Sequence, residues 1–425
     1  MRIAIFTLGS RGDVQPYVAL AKQAVKIGHS AVICTGKTFE KFILENDIEY
    51  AEVESDLMAM LQTKEGQDVF NNGMKHIFKT VKYMKEVVNP AFRKTLDQFW
   101  EAAQGADVIL YHPKAFGAAD MAMALRIPCI SIPPVPITFP ISEFPNLAIS
   151  PAKNFGSIIN KLTYRMMAKA ESASIKELND FREKTLNLTK RKTGLYTYRM
   201  NGKVIPIIYP ISNALFTDVK SWKDKVYLPG FFYLDTGSQT LDISVQDFIN
   251  QGGAPIVISF SSMPLKDPLA FKDKLVSALK HTNNRAIVLT GISGMVFRED
   301  DPILAVEQAP HALLFPLAKG IVHHGGVGTM ATALKSGKPQ LIIPFSVDQP
   351  FWANRLYTMG YALKPLNEKS LTTQDLITSF LEMEKAENIA AASKIKKLIE
   401  MENGTANAIQ YIEKICKMEE YGKHI

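Results

Sequence analysis

The sequence predicts an α/β protein with two doubly wound domains, each a parallel sheet covered by helices, and a ligand-binding cleft between them. Three observations lead to this prediction. The chain has 425 residues, which is too long for one ordinary domain of about 150 residues. Short apolar runs alternate with helix-like segments. That alternation stops at a polar stretch near the middle of the chain and then starts again.

Composition narrows the class of protein. A hydrophobic fraction of 47% with 21% charged residues is typical of soluble globular proteins. We expect a cytoplasmic protein, because no apolar run reaches the roughly 18 residues of a membrane-spanning helix and no secretion signal is recognisable. The three cysteines, Cys34, Cys129 and Cys416, lack the spacing of zinc ligands. The net charge of +7 is spread along the chain, so we expect no nucleic-acid partner, while peripheral contact with a membrane stays open.

The first half begins with a strand, a loop and a helix. Residues 2–8 (RIAIFTL) form a short apolar run, the polar turn GSRGD follows, and residues 14–26 have helical periodicity. Further strand-like runs occur at 31–35, 106–112 and 128–132. Apolar strands that alternate with amphipathic helices indicate a parallel sheet with both faces covered.

The middle of the chain is less regular. Residues 135–151 are rich in proline and aromatic side chains and are predicted to form a long loop, and residues 155–187 are predicted to be helical. Turn residues and polarity increase over 218–240, which predicts a linker between domains.

A second series of strands follows the linker. The candidates are residues 255–260, 285–290, 312–315, 320–324 and 339–345. Residues 388–417 have helical periodicity. These patterns predict a first domain over 1–217, a linker over 218–240, a second domain over 241–400, and a helix over 401–425 that packs back on the first domain.

The most informative stretch is a glycine-rich turn between a strand and a helix. Gly325, Gly326 and Gly328 let the backbone approach a ligand, and the helix that begins near Thr329 directs free N–H groups and a positive dipole end at the same place. The turn therefore favours an anion. A purely steric need for glycine in a tight turn explains the same residues.

Polar residues beside this turn favour a ligand with both phosphate and hydroxyl groups. His324 ends the strand before the turn, and Asp348 and Gln349 follow the next strand, so all three are expected at one sheet edge. A histidine donates to a phosphate oxygen, while a carboxylate beside a carboxamide binds several hydroxyls.

The stretch HHGGVGTMATALKSGKPQLIIPFSVDQPFWA resembles the donor-site signature of inverting GT-B glycosyltransferases, especially sterol 3β-glucosyltransferases and natural-product glycosyltransferases. Two further segments, TLGSRGDVQPYVALAKQAVKIGHSAVI and YPISNALFTDVKSWKDKVYLPGFFYLD, are similar to the first motif and the interdomain segment of that family. The resemblance covers nearly the whole chain and is loosest over 55–100 and 136–200. It implies a GT-B fold, in which an N-terminal Rossmann-like domain binds the acceptor and a C-terminal one binds the nucleotide-sugar donor.

The resemblance also implies roles for the donor-site residues. The diphosphate and ribose would be contacted by His324, Gly325, Gly326, Gly328, Thr329 and Ser262. The nucleobase would lie against Pro310 and His311, and the sugar hydroxyls would bind to Asp348 and Gln349. Two positions depart from the family pattern. Ser261 replaces the usual glycine, and Thr332 stands where plant relatives have a ribose-binding glutamate.

An inverting transfer needs a base that faces the donor across the cleft. Asp13 follows the first strand, and His112 ends a later one, about where the family has its base and the partner of that base. In the plant branch the base is a histidine and its partner an aspartate, so the identities look exchanged. We hypothesise an Asp13/His112 pair in which either side chain takes the acceptor proton. Asp13 as a helix N-cap, and His112 as a partner of buried backbone groups, remain alternatives.

The acceptor is expected to be lipophilic. Phe139 and Phe144 lie in the proline-rich loop, and Met166 lies in the following helical segment, where they would suit a sterol or a polyketide. Apolar residues at such spacing are also typical of a protein core.

The sequence thus predicts an inverting hexosyltransferase that uses UDP-glucose as donor substrate and needs no cofactor. We expect no metal, because no DxD-like carboxylate pair lies beside the donor motif. Two alternatives stay open: a catalytically inactive nucleotide-sugar binder, and a sugar-nucleotide epimerase or phosphorylase of the same fold.

Overall fold

The structure is a computed structural model that describes residues 1–54, 82–168, 172, 174–192, 199–200, 202–235, 237, 239–260, 265–291 and 293–423. It contains two parallel sheets, each packed between layers of helices. This arrangement confirms the predicted fold class. Within the described part of the chain, no helix has the length and apolar character needed to cross a membrane.

The first sheet has seven parallel strands in the order β3-β2-β1-β4-β5-β8-β9. A separate antiparallel hairpin, β6-β7, is formed by the chain between β5 and β8. Strand β1 pairs with a neighbour on each side, with Ile3 opposite Ala31 of β2 and Val108 of β4. The strands are β1 (Arg2–Phe6), β2 (Ser30–Gly36), β3 (Glu49–Val53), β4 (Val108–Tyr111), β5 (Cys129–Ser131), β6 (Arg199–Met200), β7 (Lys203–Val204), β8 (Ile207–Ile208) and β9 (Val226–Tyr227).

Helices cover both faces of this sheet because its strands are apolar on both sides. Ala4 and Phe6 belong to the core on one face, where Phe6 stacks on Phe99 at 4.6 Å, and Ile3 and Ile5 belong to the core on the other. The helices are α1 (Arg11–Lys26), α2 (Glu40–Leu44), α3 (Asn89–Ala103), α4 (Ala118–Leu125), α5 (Ser157–Ala168) and α6 (Ile175–Lys184), with 3₁₀ turns at Lys37–Phe39 and Asn213–Leu215 and a π-helical turn at Met84–Val88.

The second sheet has five parallel strands in the order β12-β11-β10-β13-β14. These are β10 (Ile256–Ser259), β11 (Ala286–Leu289), β12 (Ile303–Val306), β13 (Gly320–His323) and β14 (Gln340–Ile342). The helices in this half of the chain are α7 (Ile243–Asn250), α8 (Pro268–His281), α9 (His311–Leu314), α10 (Val327–Ser336), α11 (Gln349–Thr358), α12 (Thr373–Met383), α13 (Ala386–Glu400) and α14 (Gly404–Lys423), with a 3₁₀ turn at Phe315–Leu317.

One sequence prediction of a strand was wrong. The apolar run at 312–315 lies mostly in helix α9, and the edge strand of the second sheet is instead Ile303–Val306. A run of four apolar residues fits a strand and a helix turn equally well, and here Pro310 starts the helix. The predicted linker over 218–240 also contains β9, which pairs with β8 in the first sheet.

The chain passes between the two domains twice, and the two passages touch. The first leads from β9 toward α7, and the second joins α13 to α14. A Cβ atom at Gly404 would lie 2.3 Å from the carbonyl oxygen of Phe231 and 2.6 Å from that of Gly230. Asn407 donates to the carbonyl of Pro229 at 3.0 Å. Only glycine at position 404 lets the passages come this close.

After the second passage, α14 packs on the first domain. Ala408, Ile409 and Ile412 are fully buried in the same core cluster as strand β1 and helix α1. Tyr411 stacks on Tyr227 with ring centres 4.6 Å apart.

Three ionic side chains are buried together in the first domain. Asp120 of α4 accepts hydrogen bonds from Arg182 of α6 and from Arg191, whose Nε lies 2.8 Å from one carboxylate oxygen and whose Nη2 lies 3.0 Å from the other. All three side chains are almost completely buried. One carboxylate thus forms ion pairs with two guanidinium groups that are buried from water.

Removing that charge should destabilise the fold strongly. Asp120→Asn removes the carboxylate charge that both buried guanidinium groups contact, and we expect the free energy of unfolding to fall by about 3–5 kcal/mol in urea titrations. The matched control is Asp97→Asn, which breaks a half-exposed pair with Arg93 and should cost less than about 1 kcal/mol. Equal losses in the two variants would contradict a special role for the buried cluster.

Candidate active site

A cavity of about 1870 Å³ opens between the two domains. Its walls come from the loops that follow β1 and β4 in the first sheet and those that follow β13 and β14 in the second. In parallel sheets the carboxyl ends of all strands lie at one edge, so the two edges face one another here. Among the described residues, no group of three or more histidine, cysteine or acidic side chains is arranged to hold a metal ion.

Asp13 and His112 come together on the first-domain wall. Asp13 lies in the first turn of α1, where it forms a capping box with Ser10, and its Oδ1 is 3.2 Å from Nε2 of His112. The N-cap of α1 is Ser10, so the alternative that Asp13 is the N-cap was wrong; Asp13 is the third residue of the helix. His112 itself is buried, and its Nδ1 accepts a hydrogen bond from the backbone N–H of Lys114 at 3.0 Å.

These contacts set the protonation of the pair. Because Nδ1 of His112 is an acceptor, the proton of a neutral imidazole lies on Nε2 and points to Asp13. Burial lowers the pKa of His112, although Asp13 opposes this effect. Burial alone would raise the pKa of Asp13, but the hydrogen bond from His112 and the charge of Lys114 hold it well below its usual range. The pair is therefore a carboxylate beside a neutral imidazole.

Lys114 is a member of this group that the sequence analysis missed. Its Nζ lies 3.0 Å from Oδ2 of Asp13, which also accepts hydrogen bonds from the backbone and hydroxyl of Ser10. Oδ2 is thus saturated, and Oδ1 is the oxygen that keeps a lone pair for a ligand. The position of Lys114 two residues after His112 was the available signal.

The glycine-rich turn is fixed by His323. Its Nδ1 accepts from the backbone N–H of Gly325 at 3.1 Å, and its Nε2 donates to the side chain of Gln340 at 2.8 Å. Burial lowers the pKa of His323 to about 3, so the ring is neutral. Gly325 has φ +90°, which favours glycine, and a Cβ there would lie 2.8 Å from Ile342.

His324 faces the cavity from the end of this strand. Its ring packs so closely on Gly326 that a Cβ there would lie 2.4 Å from Nε2. Its buried Nδ1 has no hydrogen-bond partner among the described residues. Burial also lowers the pKa of His324, so the ring is a neutral donor rather than a cation.

Helix α10 begins directly after this turn. Its first turn contains Gly328 and the buried Thr329, and the first backbone N–H groups of a helix have no partner within it. A Cβ at Gly328 would meet nothing within 4 Å, and this residue lines the cavity. Protein packing does not explain glycine at position 328, whereas close approach of a ligand does.

Asp348 and Gln349 line the same cavity at the start of α11. The indole N–H of Trp352 donates to Oδ2 of Asp348 at 2.7 Å, which leaves Oδ1 for a ligand. Burial raises the pKa of Asp348, and the charge of Asp13 across the cavity adds to the increase. Oε1 of Gln349 accepts from the backbone N–H of Phe345 at 2.8 Å, so its amide group is left with donors.

The predicted nucleobase residues form another part of the wall. Pro310 caps helix α9 and His311 begins it, and both line the cavity. The ring of His311 stacks on Phe315 at 4.5 Å, and its Nε2 lies 3.0 Å from Oγ of Ser259. Burial lowers the pKa of His311 to about 4. Ser262, the other predicted donor contact, lies outside the described residues.

The predicted acceptor residues do not line the cavity. Phe144 packs in a core cluster between the domains, with Phe351 at 4.8 Å, and Phe139 packs partly buried against the same cluster. Met166 is on the outer surface of α5. Apolar spacing does not distinguish a core or a surface from a pocket, so the role of these residues as acceptor contacts stays a prediction. Other apolar residues of the same loop, including Val135, Ile137 and Leu147, line the cavity instead.

Comparison with known proteins agrees with this geometry. Residues 3–119 match the N-terminal domain of glycosyltransferase family 28, and residues 296–405 match the C-terminal domain of erythromycin biosynthesis protein CIII-like proteins. A sterol 3-beta-glucosyltransferase of Arabidopsis thaliana is 32% identical over 96% of this chain and 67% of its own. That of Yarrowia lipolytica is 30% identical over 97% of this chain but only 28% of its own, so the fungal relative is much longer.

Solved structures share the fold along the whole chain. The glycotransferase of kitacinnamycin has a TM-score of 0.72 at 18% identity, covering 97% of this chain and 98% of its own. The calicheamicin glycosyltransferase has a TM-score of 0.67 at 15% identity, with the same coverage of 97% and 98%. The two domain matches and the Arabidopsis relative decide the family: the chain belongs to the GT-B glycosyltransferases of the sterol 3-beta-glucosyltransferase type.

Proposed function

We propose that this enzyme transfers glucose from UDP-glucose to a hydroxyl of a lipophilic, sterol-like acceptor, with inversion to a β-glycoside. The observation that carries the proposal is that an ionised Asp13 and the glycine-rich turn after His324 line one cavity from opposite domains. The relatives from Arabidopsis and Yarrowia are named for glucosyl transfer to sterols. We further propose a cytoplasmic enzyme that meets its acceptor at a membrane surface.

The donor's diphosphate would bind at the start of α10. Free backbone N–H groups of the first helical turn and the positive end of the helix dipole stabilise two negative charges without a metal ion. His324 would donate one further hydrogen bond as a neutral imidazole. The free Oδ1 of Asp348 and the amide donors of Gln349 would bind the sugar hydroxyls.

Asp13 would take the acceptor proton. An alcohol is far too weak an acid for a carboxylate in the ground state, but its proton becomes acidic as the oxygen bonds to the anomeric carbon. Oδ1 keeps a lone pair for this proton, while Nε2–H of His112 and the ammonium of Lys114 hold the carboxylate in place. His112 is then a positioning residue, because both of its nitrogens already have partners.

Product analysis tests the reaction itself. The purified enzyme is incubated with UDP-glucose, other UDP- and dTDP-hexoses, and sterol, macrolide or phenolic acceptors, and the products are identified by mass spectrometry and NMR. We expect a β-glucoside and free UDP, at a rate that EDTA leaves unchanged. An interconverted donor would instead show an epimerase, and tight binding without turnover would show an inactive binder.

Gly328→Ala should separate donor binding from folding. The new methyl group meets no protein atom, and alanine suits a helix better than glycine, so the melting temperature should stay the same or rise. The methyl group would displace a phosphate from the backbone N–H groups, and we expect the KM for UDP-glucose to rise about tenfold or more. Calorimetry and initial-rate kinetics measure the two effects.

The matched variant is Gly326→Ala. There the Cβ collides with the ring of His324 at 2.4 Å, so stability and donor binding should fall together. An unchanged KM in Gly328→Ala would refute the placement of the diphosphate at this helix end.

Asp13→Asn should abolish most of the chemistry. Removing a general base typically lowers the rate by about 10²–10⁴-fold, and single-turnover measurements with saturating substrates would report that step. His112→Gln keeps an amide N–H for Asp13 and should lose less activity than His112→Ala. If His112→Ala reacts at the wild-type rate, the pair plays no part in the reaction.

The pH profile provides an independent check. The active form of Asp13 is deprotonated, and its lowered pKa extends that form to acid pH. We therefore expect kcat to stay flat from about pH 8 down to about pH 5. If the base were a histidine of ordinary pKa, near 6.5, its protonation would already lower kcat in this range. A fall in kcat centred near pH 6.5 would contradict an ionised Asp13 as base.

A further inference from the structure

Helix α5 is fixed to the protein by one face only. Nδ2 of Asn160 donates to the carbonyl of Ser142 at 2.8 Å, Oγ1 of Thr163 accepts from the backbone N–H of Asn146 at 2.8 Å, and Tyr164 is buried in the core between the domains. These three residues follow at intervals of three and one, so they share one side of the helix. The opposite side is free of such contacts among the described residues.

That opposite side is apolar and exposed. The exposed fractions are 76% for Ile158, 52% for Ile159, 45% for Leu162 and 63% for Met166. Ile158, Leu162 and Met166 are four residues apart and form a stripe. Phe155, just before the helix, is exposed as well. Single exposed apolar residues are ordinary, but a stripe along one helix marks an interaction surface.

Among the described residues of α5 and of the segment 151–156 before it, all charged side chains are cationic. Lys161 and Arg165 are the charged residues of α5, and both are exposed. Lys153 lies over the ring of Phe155, with Nζ 5.6 Å from the ring centre. An apolar stripe flanked by lysine and arginine is the pattern of a helix that lies in the interface of an anionic membrane.

We propose that the outer face of α5, formed by Ile158, Ile159, Leu162 and Met166 with Lys161 and Arg165, docks the enzyme on an anionic lipid bilayer. A stable interface between two protein copies uses about 20–30 residues on each side, far more than this stripe offers, whereas shallow insertion of a helix face needs only a few. The inner face of α5 holds the loop that contains Leu147, which lines the cavity. Docking would thus bring the acceptor side of the cavity to the membrane, a consequence that rests on the proposed function.

Sedimentation with sterol-free vesicles tests the docking surface independently of catalysis. The full chain is mixed with phosphatidylcholine vesicles that contain or lack 30% phosphatidylglycerol, and the bound fraction is measured. We expect binding to the anionic vesicles, and an approximately tenfold or greater loss in Ile158→Ser/Met166→Ser because two inserted side chains become polar. The matched control, Ile243→Ser/Met401→Ser, changes residues of 76% and 75% exposure elsewhere on the surface and should bind normally.

The charges are tested separately. Lys161→Gln/Arg165→Gln should lower binding to anionic vesicles at least about tenfold, since each cation near such a surface strengthens binding about fivefold. Lys394→Gln/Lys397→Gln removes two exposed cations of α13 and should have no such effect. Binding that is absent in the wild type, or equal in α5 variants and controls, would overturn the proposal. A dimer in the wild type that the α5 variants dissociate would also overturn it, in favour of a second copy on this face.

Activity assays distinguish this proposal from the proposed function. With a detergent-dispersed acceptor the α5 variants should keep the wild-type rate, because none of the changed residues lines the cavity. With sterol in anionic vesicles their rate should fall in parallel with binding. If no acceptor is glucosylated but vesicle binding behaves as expected, only the proposed function fails.

Discussion

Asp13, His112, His324 and Asp348 each lie just beyond the carboxyl end of a parallel strand, and the site depends on this common direction. Within a parallel sheet all such ends lie along one edge, and two sheets whose edges face each other across a gap line it with the loops that follow their strands. The strand interiors are free to be entirely apolar, as Ile3 to Phe6 and Ile256 to Ile258 are. The core therefore stabilises each domain without constraining which chemistry the loops carry.

Histidines supply much of the polar surface here, yet none of those in the site behaves as a cation. Burial lowers the pKa of His112, His311, His323 and His324 alike. Each therefore acts through the direction of its N–H group rather than through charge. His323 shapes the turn and His112 orients a carboxylate, and the positive potential for a diphosphate is left to the helix end.

The sequence was sufficient for the fold class and for the glycine-rich turn, because strand periodicity and the steric needs of glycine are local properties. The local sequence pattern could not decide between a strand and a helix, or between a core and a pocket position, because these depend on which residues pack nearby. The run at 312–315 fitted a strand until Pro310 and its surroundings made it helical. Phe144 and Met166 looked alike as acceptor contacts, but one is in the core and the other on the surface. The hydrogen that fixes the tautomer of His112 comes from the backbone of Lys114, a contact that no side-chain pattern reveals.

The close crossing of the chain at Gly230 and Gly404 has a mechanical meaning. Both covalent connections between the domains meet here, so the spacing of their backbones fixes one point in the arrangement of the two sheets. A side chain at either glycine would meet atoms of the other connection and push the two apart. Neither glycine lines the cavity, yet the walls of the cavity belong to different domains, so such a change would move Asp13 relative to the glycine-rich turn.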